Sequence, residues 1–178
     1  ESKIEIPHLY SESVQGDFYV SELYSYLGVE TSFHKGGITI KKNNQVSTKL
    51  EFNLSDFPDL AIPYVVSCAG LGIEVYLSGL ESLKIKESDR LVSIKKELSK
   101  FNVECEINDH SIYVPKNQLI KYNGMVIDDH NDHRIPMSIA PLAIKTESNI
   151  FFKDSLVVNK SYPLFWDDLK KLGFNIVN

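Results

Sequence analysis

The feature that most constrains the fold of this 178-residue chain is an internal repeat of about 73 residues. The pattern Asp-x-x-Ile-Pro occurs at residues 59–63 and again at residues 132–136, and an apolar stretch follows each copy. Three predicted helix ends also share one pattern, with bulky residues three apart followed by Gly28, Asn102 or Gly173. Gly and Asn tolerate the left-handed backbone that ends many helices. These coincident spacings predict a chain built from copies of one supersecondary unit.

The periodicity of apolar residues gives the elements of that unit. One complete unit runs strand, helix, strand, helix, strand, strand, predicted at residues 50–52, 60–69, 73–77, 91–101, 103–107 and 111–114. The next unit repeats this order at residues 125–127, 132–144, 149–152, 161–172 and from 174 onward. The first stretch supplies half a unit, with a strand at 3–6, a helix at 17–27 and strands at 29–33 and 37–41. We therefore predict an α/β domain of about two and a half βαβαββ units, with a kink at Pro141.

Composition narrows the class of protein. A hydrophobic content of 43% with 24% charged residues is globular and excludes intrinsic disorder. The net charge of -5 argues against a general nucleic-acid or polybasic membrane partner, and no apolar run approaches the roughly 20 residues that span a bilayer. Cys68 and Cys105 are expected to be buried, reduced thiols, and their number excludes a disulfide framework or a zinc site. A cytoplasmic location is the expectation that follows.

Polar residues concentrate where the helices are predicted to begin, at residues 55–59, 84–90, 128–134 and 159–163. Helix N-termini favour negative charge. Equivalent positions of a quasi-symmetric fold face the same region, so we expect these four segments to converge. They would form a pocket for a phosphate- or carboxylate-bearing substrate, lined by four cations: Lys86, Arg90, Arg134 and Lys160. Asp59 and Glu87 are candidates for general acid or general base.

The same residues also have purely structural interpretations. The segment 84–90 is typical of a solvated helix start with pairs such as Lys86 with Asp89, and Asp56 and Asp59 are typical helix N-caps. Lys160 is equally well explained as an exposed surface residue. These alternatives stay open at the level of sequence.

Other residues indicate structure rather than chemistry. His130 and His133 invite a metal interpretation, but no third ligand pattern supports it, so no metal site is predicted. Residues 15–17 (Gln-Gly-Asp) are expected to form a turn and cap before a helix. Four aromatic residues are expected in the core: Phe151, Phe152, Phe165 and Trp166. No Gly-rich phosphate loop and no nucleophile elbow occur.

Three motifs, in this order and spacing, resemble the C-terminal part of the 3-phosphoshikimate 1-carboxyvinyltransferase (EPSP synthase) family. They are residues 86–90 (Lys-Glu-Ser-Asp-Arg), 131–134 (Asn-Asp-His-Arg) and 159–163 (Asn-Lys-Ser-Tyr-Pro). Residues 57–59 and 15–17 also look like that family, and the resemblance covers essentially the whole chain. The first two motifs together are highly specific, and the related UDP-N-acetylglucosamine enolpyruvyl transferases lack the pair in this form.

The resemblance implies an inside-out α/β barrel fold of two domains, each of three such units, with the active site in the cleft between them. Residues 1–178 would be a single domain from the C-terminal portion, with the N-terminal domain absent. The chain opens on Glu rather than Met, so we expect it to be a piece of a longer protein. The implied reaction transfers the enolpyruvyl group of phosphoenolpyruvate to the 5-hydroxyl of shikimate 3-phosphate in aromatic amino-acid synthesis. It implies no metal or organic cofactor and a monomer at full length.

The resemblance also implies roles for three catalytic residues. Asp59 matches the carboxylate that takes the proton from the attacking hydroxyl, and Glu87 matches the partner in proton transfer at the methylene carbon. Lys160 matches the acid and anion clamp near phosphoenolpyruvate.

Five further positions correspond to substrate-binding positions of that family. Arg90 and Arg134 would bind the anions of phosphoenolpyruvate, and Lys86 would contact shikimate 3-phosphate. His133 lies nearby in the motif, and Ser82 stands where many members have Asn.

Two other functions remain as alternatives at this stage. The chain could be a non-catalytic anion-binding scaffold that reuses the fold, or part of an enolpyruvyl transferase with another acceptor, such as UDP-N-acetylglucosamine. On the leading interpretation the chain alone is expected to be inactive, because the other domain would supply the rest of the site.

Overall fold

The computed structural model describes residues 3–12 and 16–177, so the predicted turn and cap at residues 15–17 falls partly outside it. The strands are β1 (Lys3–Pro7), β2 (Leu27–His34), β3 (Gly37–Val46), β4 (Lys49–Asn53), β5 (Glu74–Ser78), β6 (Glu106–Ile107) and β7 (Ser111–Val114). The α-helices are α1 (Val20–Ser25), α2 (Ala61–Leu71), α3 (Arg90–Ser99), α4 (Arg134–Ile139) and α5 (Phe165–Lys171). Short 3-10 helices cover Gly16–Tyr19, Pro58–Leu60, Glu81–Ile85, Ala140–Lys145 and Leu156–Lys160.

The strands form two separate sheets. The half unit gives an antiparallel sheet in the order β1-β3-β2. The complete unit gives the order β4-β5-β7-β6, in which β4 and β5 are parallel and the other neighbours are antiparallel. The predicted strand, helix, strand, helix, strand, strand order is therefore confirmed for this unit.

The core is organised around α2, which is buried along most of its length and packs against α3, α4 and β5. Its apolar composition, with no charged residue, explains this central position. Tyr64 of α2 ties the half unit to this core, because its hydroxyl donates a hydrogen bond to the Leu23 carbonyl at 3.0 Å.

Two of the three predicted left-handed helix ends are confirmed: Asn102 and Gly173 have φ angles of +60° and +97°. The prediction for Gly28 is wrong in its place, because this residue has a φ of +82° but lies inside β2, where the pairing with β3 shifts register, and not at the end of α1. After α3, the Val103 amide donates to the Leu98 carbonyl. After α5, the Phe174 amide donates to the Leu169 carbonyl in the same way. This bond across five residues is the Schellman closure, so two units end their helices with one geometry.

Three prolines have a simple place in the helices. Pro63 and Pro136 are each the third residue of their helices, α2 and α4. Their missing N–H groups therefore fall in the first turn, where no intrahelical acceptor is available. The helix predicted over residues 132–144 changes from α to 3-10 at Ala140, next to Pro141, as expected for a proline inside it.

The third unit departs from its predicted strands. Residues 125–127 and 149–152 form only one parallel bridge, between Ile127 and Phe152, and the described chain forms no strand after residue 174. Met125, Val126 and Phe151 are each more than half exposed, and no strand within residues 3–12 and 16–177 covers this edge. The expectation that Phe151 belongs to the core is wrong for the same reason.

The remaining core predictions hold for the most part. Phe165 is buried in a small apolar cluster, and Phe152 and Trp166 pack half-buried against that cluster. Cys68 and Cys105 are free and buried, and burial raises the pKa of each thiol to about 12. Within residues 3–12 and 16–177, no helix has the length and apolar character needed to cross a membrane.

Candidate active site

The four polar segments meet at the N-terminal ends of α2, α3 and α4. Asp59 lies in the 3-10 turn before α2, residues 86–89 form the loop before α3, and Asp132 stands two residues before α4. Lys160, the last residue of the 3-10 helix Leu156–Lys160, reaches the same region. Ion pairs between these segments confirm the predicted convergence.

Arg90 is the centre of this cluster. Its Nε donates to Asp132 Oδ2 at 2.7 Å and its NH2 to Asp132 Oδ1 at 3.3 Å, while its NH1 donates to Asp59 Oδ1 at 2.6 Å. The Arg90 side chain is 4% exposed and that of Asp132 is fully buried. Asp59 and Asp132 occupy equivalent positions of the repeat, so one guanidinium joins the two units through matching carboxylates.

Asp59 is the more open of the two carboxylates, with 25% of its side chain exposed. Besides Arg90, it lies 3.3 Å from Arg134 NH2 and 3.5 Å from Lys86 Nζ. Three cations therefore converge on one accessible carboxylate, and an anion bound beside it would meet the same cations.

Two structural interpretations of these residues are wrong. Asp89 does not form an ion pair with Lys86. It caps α3 by accepting a hydrogen bond from the Val92 amide at 3.1 Å. Asp59 does not cap a helix, because its oxygens face the cations described above and neither adjoining helix has a side-chain cap.

A second part of the site is built around Glu87. His133 Nδ1 lies 3.2 Å from Glu87 Oε1, and Lys160 Nζ lies 3.5 Å from Glu87 Oε2. Lys160 also donates a hydrogen bond to the Asn131 carbonyl at 2.8 Å. Glu87 is 37% exposed and Lys160 is 51% exposed, so both can reach a bound molecule. Lys160 is therefore more than an exposed surface residue, because it contacts both Glu87 and the Asn131 carbonyl.

A sequence profile of the EPSP synthase (3-phosphoshikimate 1-carboxyvinyltransferase) family matches residues 1–169. The chain belongs to the EPSP synthase family. A 3-phosphoshikimate 1-carboxyvinyltransferase of Bacteroides fragilis is 38% identical over 177 residues, and one of Clostridioides difficile is 35% identical over 175 residues. These matches cover 99% and 97% of this chain, but only 43% and 39% of the two relatives. The chain thus spans about two fifths of the length of these EPSP synthases.

The fold is that of an EPSP synthase as well. An EPSP synthase structure from Acinetobacter baumannii superposes with a TM-score of 0.75, covering 95% of this chain and 41% of that chain at 19% identity. The predicted α/β fold of the enolpyruvyl transferase type is therefore confirmed, independently of the sequence motifs.

One triad of the chain has a geometry that could hold a cation. Ligand atoms of Glu87, Asp132 and His133 lie within 4.8 Å of one another. Both Asp132 oxygens already accept hydrogen bonds from Arg90, however, and Lys160 faces Glu87. A metal ion here would compete with two positive side chains, so the donor set fits an arginine and a lysine better.

The structure also places the two remaining candidates and shows one residue that the sequence did not single out. His133 is brought into the cluster by Glu87, whereas Ser82 is half-buried in the 3-10 turn Glu81–Ile85. Ser82 forms no hydrogen bond with the cluster within residues 3–12 and 16–177. Asp132 was missed as a functional residue, although the repeated Asp-x-x-Ile-Pro pattern makes it the counterpart of Asp59.

Acid is expected to destabilise the chain through Asp132. Burial raises the pKa of this carboxyl, but hydrogen bonds from Arg90, the Arg134 amide and Ser88 lower it more, so the folded pKa lies below its ordinary value of 3.8. A lowered folded pKa gives stabilisation that is complete above the unfolded pKa and is lost as the pH falls through the folded pKa.

Asp132→Asn should therefore unfold at lower urea concentration at pH 7. Its unfolding free energy should also fall less steeply than that of the parent below about pH 5. Urea unfolding of the chain across this range measures both, with the exposed Asp167→Asn as the matched control. Equal acid slopes for the parent and Asp132→Asn would contradict the expectation.

Proposed function

We propose that the complete protein is a 3-phosphoshikimate 1-carboxyvinyltransferase. It transfers the enolpyruvyl group of phosphoenolpyruvate to the 5-hydroxyl of shikimate 3-phosphate and releases phosphate. Family membership and the names of the relatives support this proposal. The observation that carries it is the convergence of Asp59 and Glu87 with four cations on one wall.

The addition step needs a proton moved from an oxygen and a proton delivered to a carbon. In the proposal, the oxygen of the acceptor hydroxyl forms a bond to C2 of phosphoenolpyruvate, and Asp59 takes the proton that this hydroxyl loses. Glu87, with Lys160 at 3.5 Å, delivers a proton to the methylene carbon C3, which becomes a methyl group. The product of this step is a tetrahedral intermediate that carries a phosphate and a carboxylate.

The elimination step reverses the proton transfer at carbon. Glu87 removes a proton from the methyl group as the C–O bond to phosphate breaks, and Lys160 protonates or pairs with the leaving phosphate. Fixed cations stabilise the substrate anions in both steps. Preorganised donors stabilise the negative charge that develops in a site with little water, because they need not reorient during the reaction. Arg134 and Arg90 are assigned to the phosphoenolpyruvate anions, and Lys86 is assigned to shikimate 3-phosphate.

Arg90 has a double assignment in this scheme. Three of its five N–H groups hold Asp59 and Asp132, which leaves two for a substrate anion. Arg134, at 27% exposure, is the more accessible of the two arginines. Arg90 therefore sets the geometry of the wall, and Arg134 supplies most of the contact with phosphoenolpyruvate.

In this proposal residues 1–178 are one domain and form one wall of a cleft between two domains. The chain corresponds to about two fifths of its relatives, so the second wall and its contacts to both phosphates lie in the rest of the protein. The complete protein is proposed to act as a cytoplasmic monomer, without metal or organic cofactor. Ser82 and His133 stay assigned to the substrate-binding wall.

A phosphate-release assay with phosphoenolpyruvate and shikimate 3-phosphate tests the function. The complete protein should turn over, and the 178-residue chain alone should not, because it holds one wall only. Turnover by the isolated chain would contradict the two-wall proposal. Turnover of the complete protein with UDP-N-acetylglucosamine as the acceptor would replace the assigned acceptor. Anion binding without turnover would favour a scaffold.

A further inference from the structure

A buried ion-pair cluster lies beside the site, and none of the proposed roles uses it. The Glu97 side chain on α3 is fully buried, and its Oε2 accepts hydrogen bonds from Lys100 Nζ at 2.6 Å and from the Asp128 amide at 3.1 Å. Its Oε1 lies 2.8 Å from His130 Nε2. Lys100 also donates to the Val126 carbonyl at 2.8 Å. Buried carboxylates persist when they are fully paired, as here.

The segment that Glu97 binds has an unusual backbone. His130 and Asn131 are consecutive non-glycine residues in the left-handed region, with φ angles of 53° and 58°. Such residues carry a conformational cost and persist where their surroundings hold them. Side chains within the segment help to hold this backbone conformation. The Asp128 carboxylate accepts a hydrogen bond from the His130 amide, and the Asp129 carboxylate accepts one from the Asn131 amide.

One helix holds this turn on both sides. Arg90 and Glu97 are seven residues apart on α3, about two turns, so they lie on the same face. Arg90 binds Asp132, which follows the turn, and Glu97 binds His130, its first left-handed residue. The position of the turn is therefore fixed relative to α3, which also carries the central arginine of the site.

This turn also contacts a proposed catalytic group. The carbonyl of Asn131 accepts the hydrogen bond from Lys160 Nζ at 2.8 Å, and that ammonium lies 3.5 Å from Glu87. Lys160 is half exposed on a flexible stem, so these contacts set where its charge lies. We propose that Glu97 is a positioning residue: through His130 it holds the turn whose carbonyl directs Lys160 toward Glu87.

The contact between Glu97 and His130 has a spectroscopic signature. An ionised carboxylate can only accept, and Lys100 and the Asp128 amide donate to this one, so His130 must carry its hydrogen on Nε2. Glu97→Gln keeps the shape but presents an amide N–H₂ to the ring. His130 then accepts at Nε2 and carries its hydrogen on Nδ1, which exchanges the two ring ¹⁵N shifts.

The test uses the complete protein and the variant His130→Asn. Asparagine tolerates the left-handed backbone but is too short to reach Glu97. We expect an amine-acetylating reagent to modify Lys160 several-fold faster than in the parent, read by mass spectrometry against the other lysines. Lys153→Gln is the matched control, because it breaks only an exposed pair with Asp128 on the same segment, and it should leave this rate unchanged.

The catalytic consequence rests on the proposed function, whereas the two structural readouts do not. If that function holds, His130→Asn should raise KM for phosphoenolpyruvate several-fold and leave KM for shikimate 3-phosphate nearly unchanged. Unchanged Lys160 reactivity in His130→Asn, or unchanged ring shifts of His130 in Glu97→Gln, would overturn the proposal. Faster Lys160 modification in a protein without enolpyruvyl transfer would support the positioning role and contradict the function alone.

Discussion

Glu87→Gln in the complete protein is expected to reduce turnover by about 10²- to 10⁴-fold, the usual contribution of a positioned acid or base. The substitution keeps the size and the hydrogen-bonding reach of the side chain but removes its ability to exchange a proton. In the proposed reaction Glu87 acts twice at the same carbon, in addition and in elimination, so both half-steps are affected. Among the residues that the structure describes, Lys160 pairs with no carboxylate other than Glu87, at 3.5 Å, so no second carboxylate beside it can replace Glu87 in the proton transfer.

Steady-state phosphate release measures this effect. KM for both substrates should change much less than kcat, because binding is assigned mainly to the cations. Glu81→Gln is the matched control, since Glu81 is an exposed carboxylate on the neighbouring 3-10 turn Glu81–Ile85. A kcat for Glu87→Gln close to that of Glu81→Gln would remove Glu87 from the chemistry.

Arg90→Met is expected to lower the unfolding free energy of the chain by about 3–5 kcal/mol, the cost of breaking a buried ion pair. Asp132 is fully buried, and its two oxygens would lose the bonds at 2.7 and 3.3 Å that compensate its desolvation. Asp59 suffers less, because it is partly exposed and keeps Arg134 and Lys86.

Urea unfolding of the chain at pH 7 gives the comparison. Lys84→Met, which removes the exposed pair with Asp109, is the control and should leave the midpoint almost unchanged. The double variant Arg90→Met with Asp132→Leu should recover part of the loss, because an apolar pair leaves no buried charge. A loss in Arg90→Met as small as that in Lys84→Met would contradict the central position of this arginine.

The repeat made part of the site predictable, namely the residues that lie at the starts of helices. Asp59 and the segments that carry Glu87 and Arg134 could be brought together from the sequence, since quasi-symmetry places equivalent helix ends on one side. The left-handed positions Asn102 and Gly173 were predictable for a similar reason, because few residue types tolerate that backbone.

Long-range contacts were beyond such patterns. Nothing in the local sequence indicates that Arg90 bridges two units, because the bridge depends on how α3 lies against α4. The sequence predicts Glu97 to be a polar residue of an amphipathic helix. Residues 126–130 pack over it, however, and bury it fully. Phe151 is a large apolar residue of the kind that core strands contain, but no strand in the described part of the chain covers it.

The most direct test of the account is an amide NMR titration of the complete, isotopically labelled protein with phosphoenolpyruvate in the presence of shikimate 3-phosphate. Signals from four segments, those around Asp59, Glu87, Arg134 and Lys160, should shift together with one midpoint. In Arg134→Gln that common midpoint should move to higher phosphoenolpyruvate concentration. Shifts confined to one segment, or midpoints that ignore Arg134→Gln, would show that these residues do not form one binding wall.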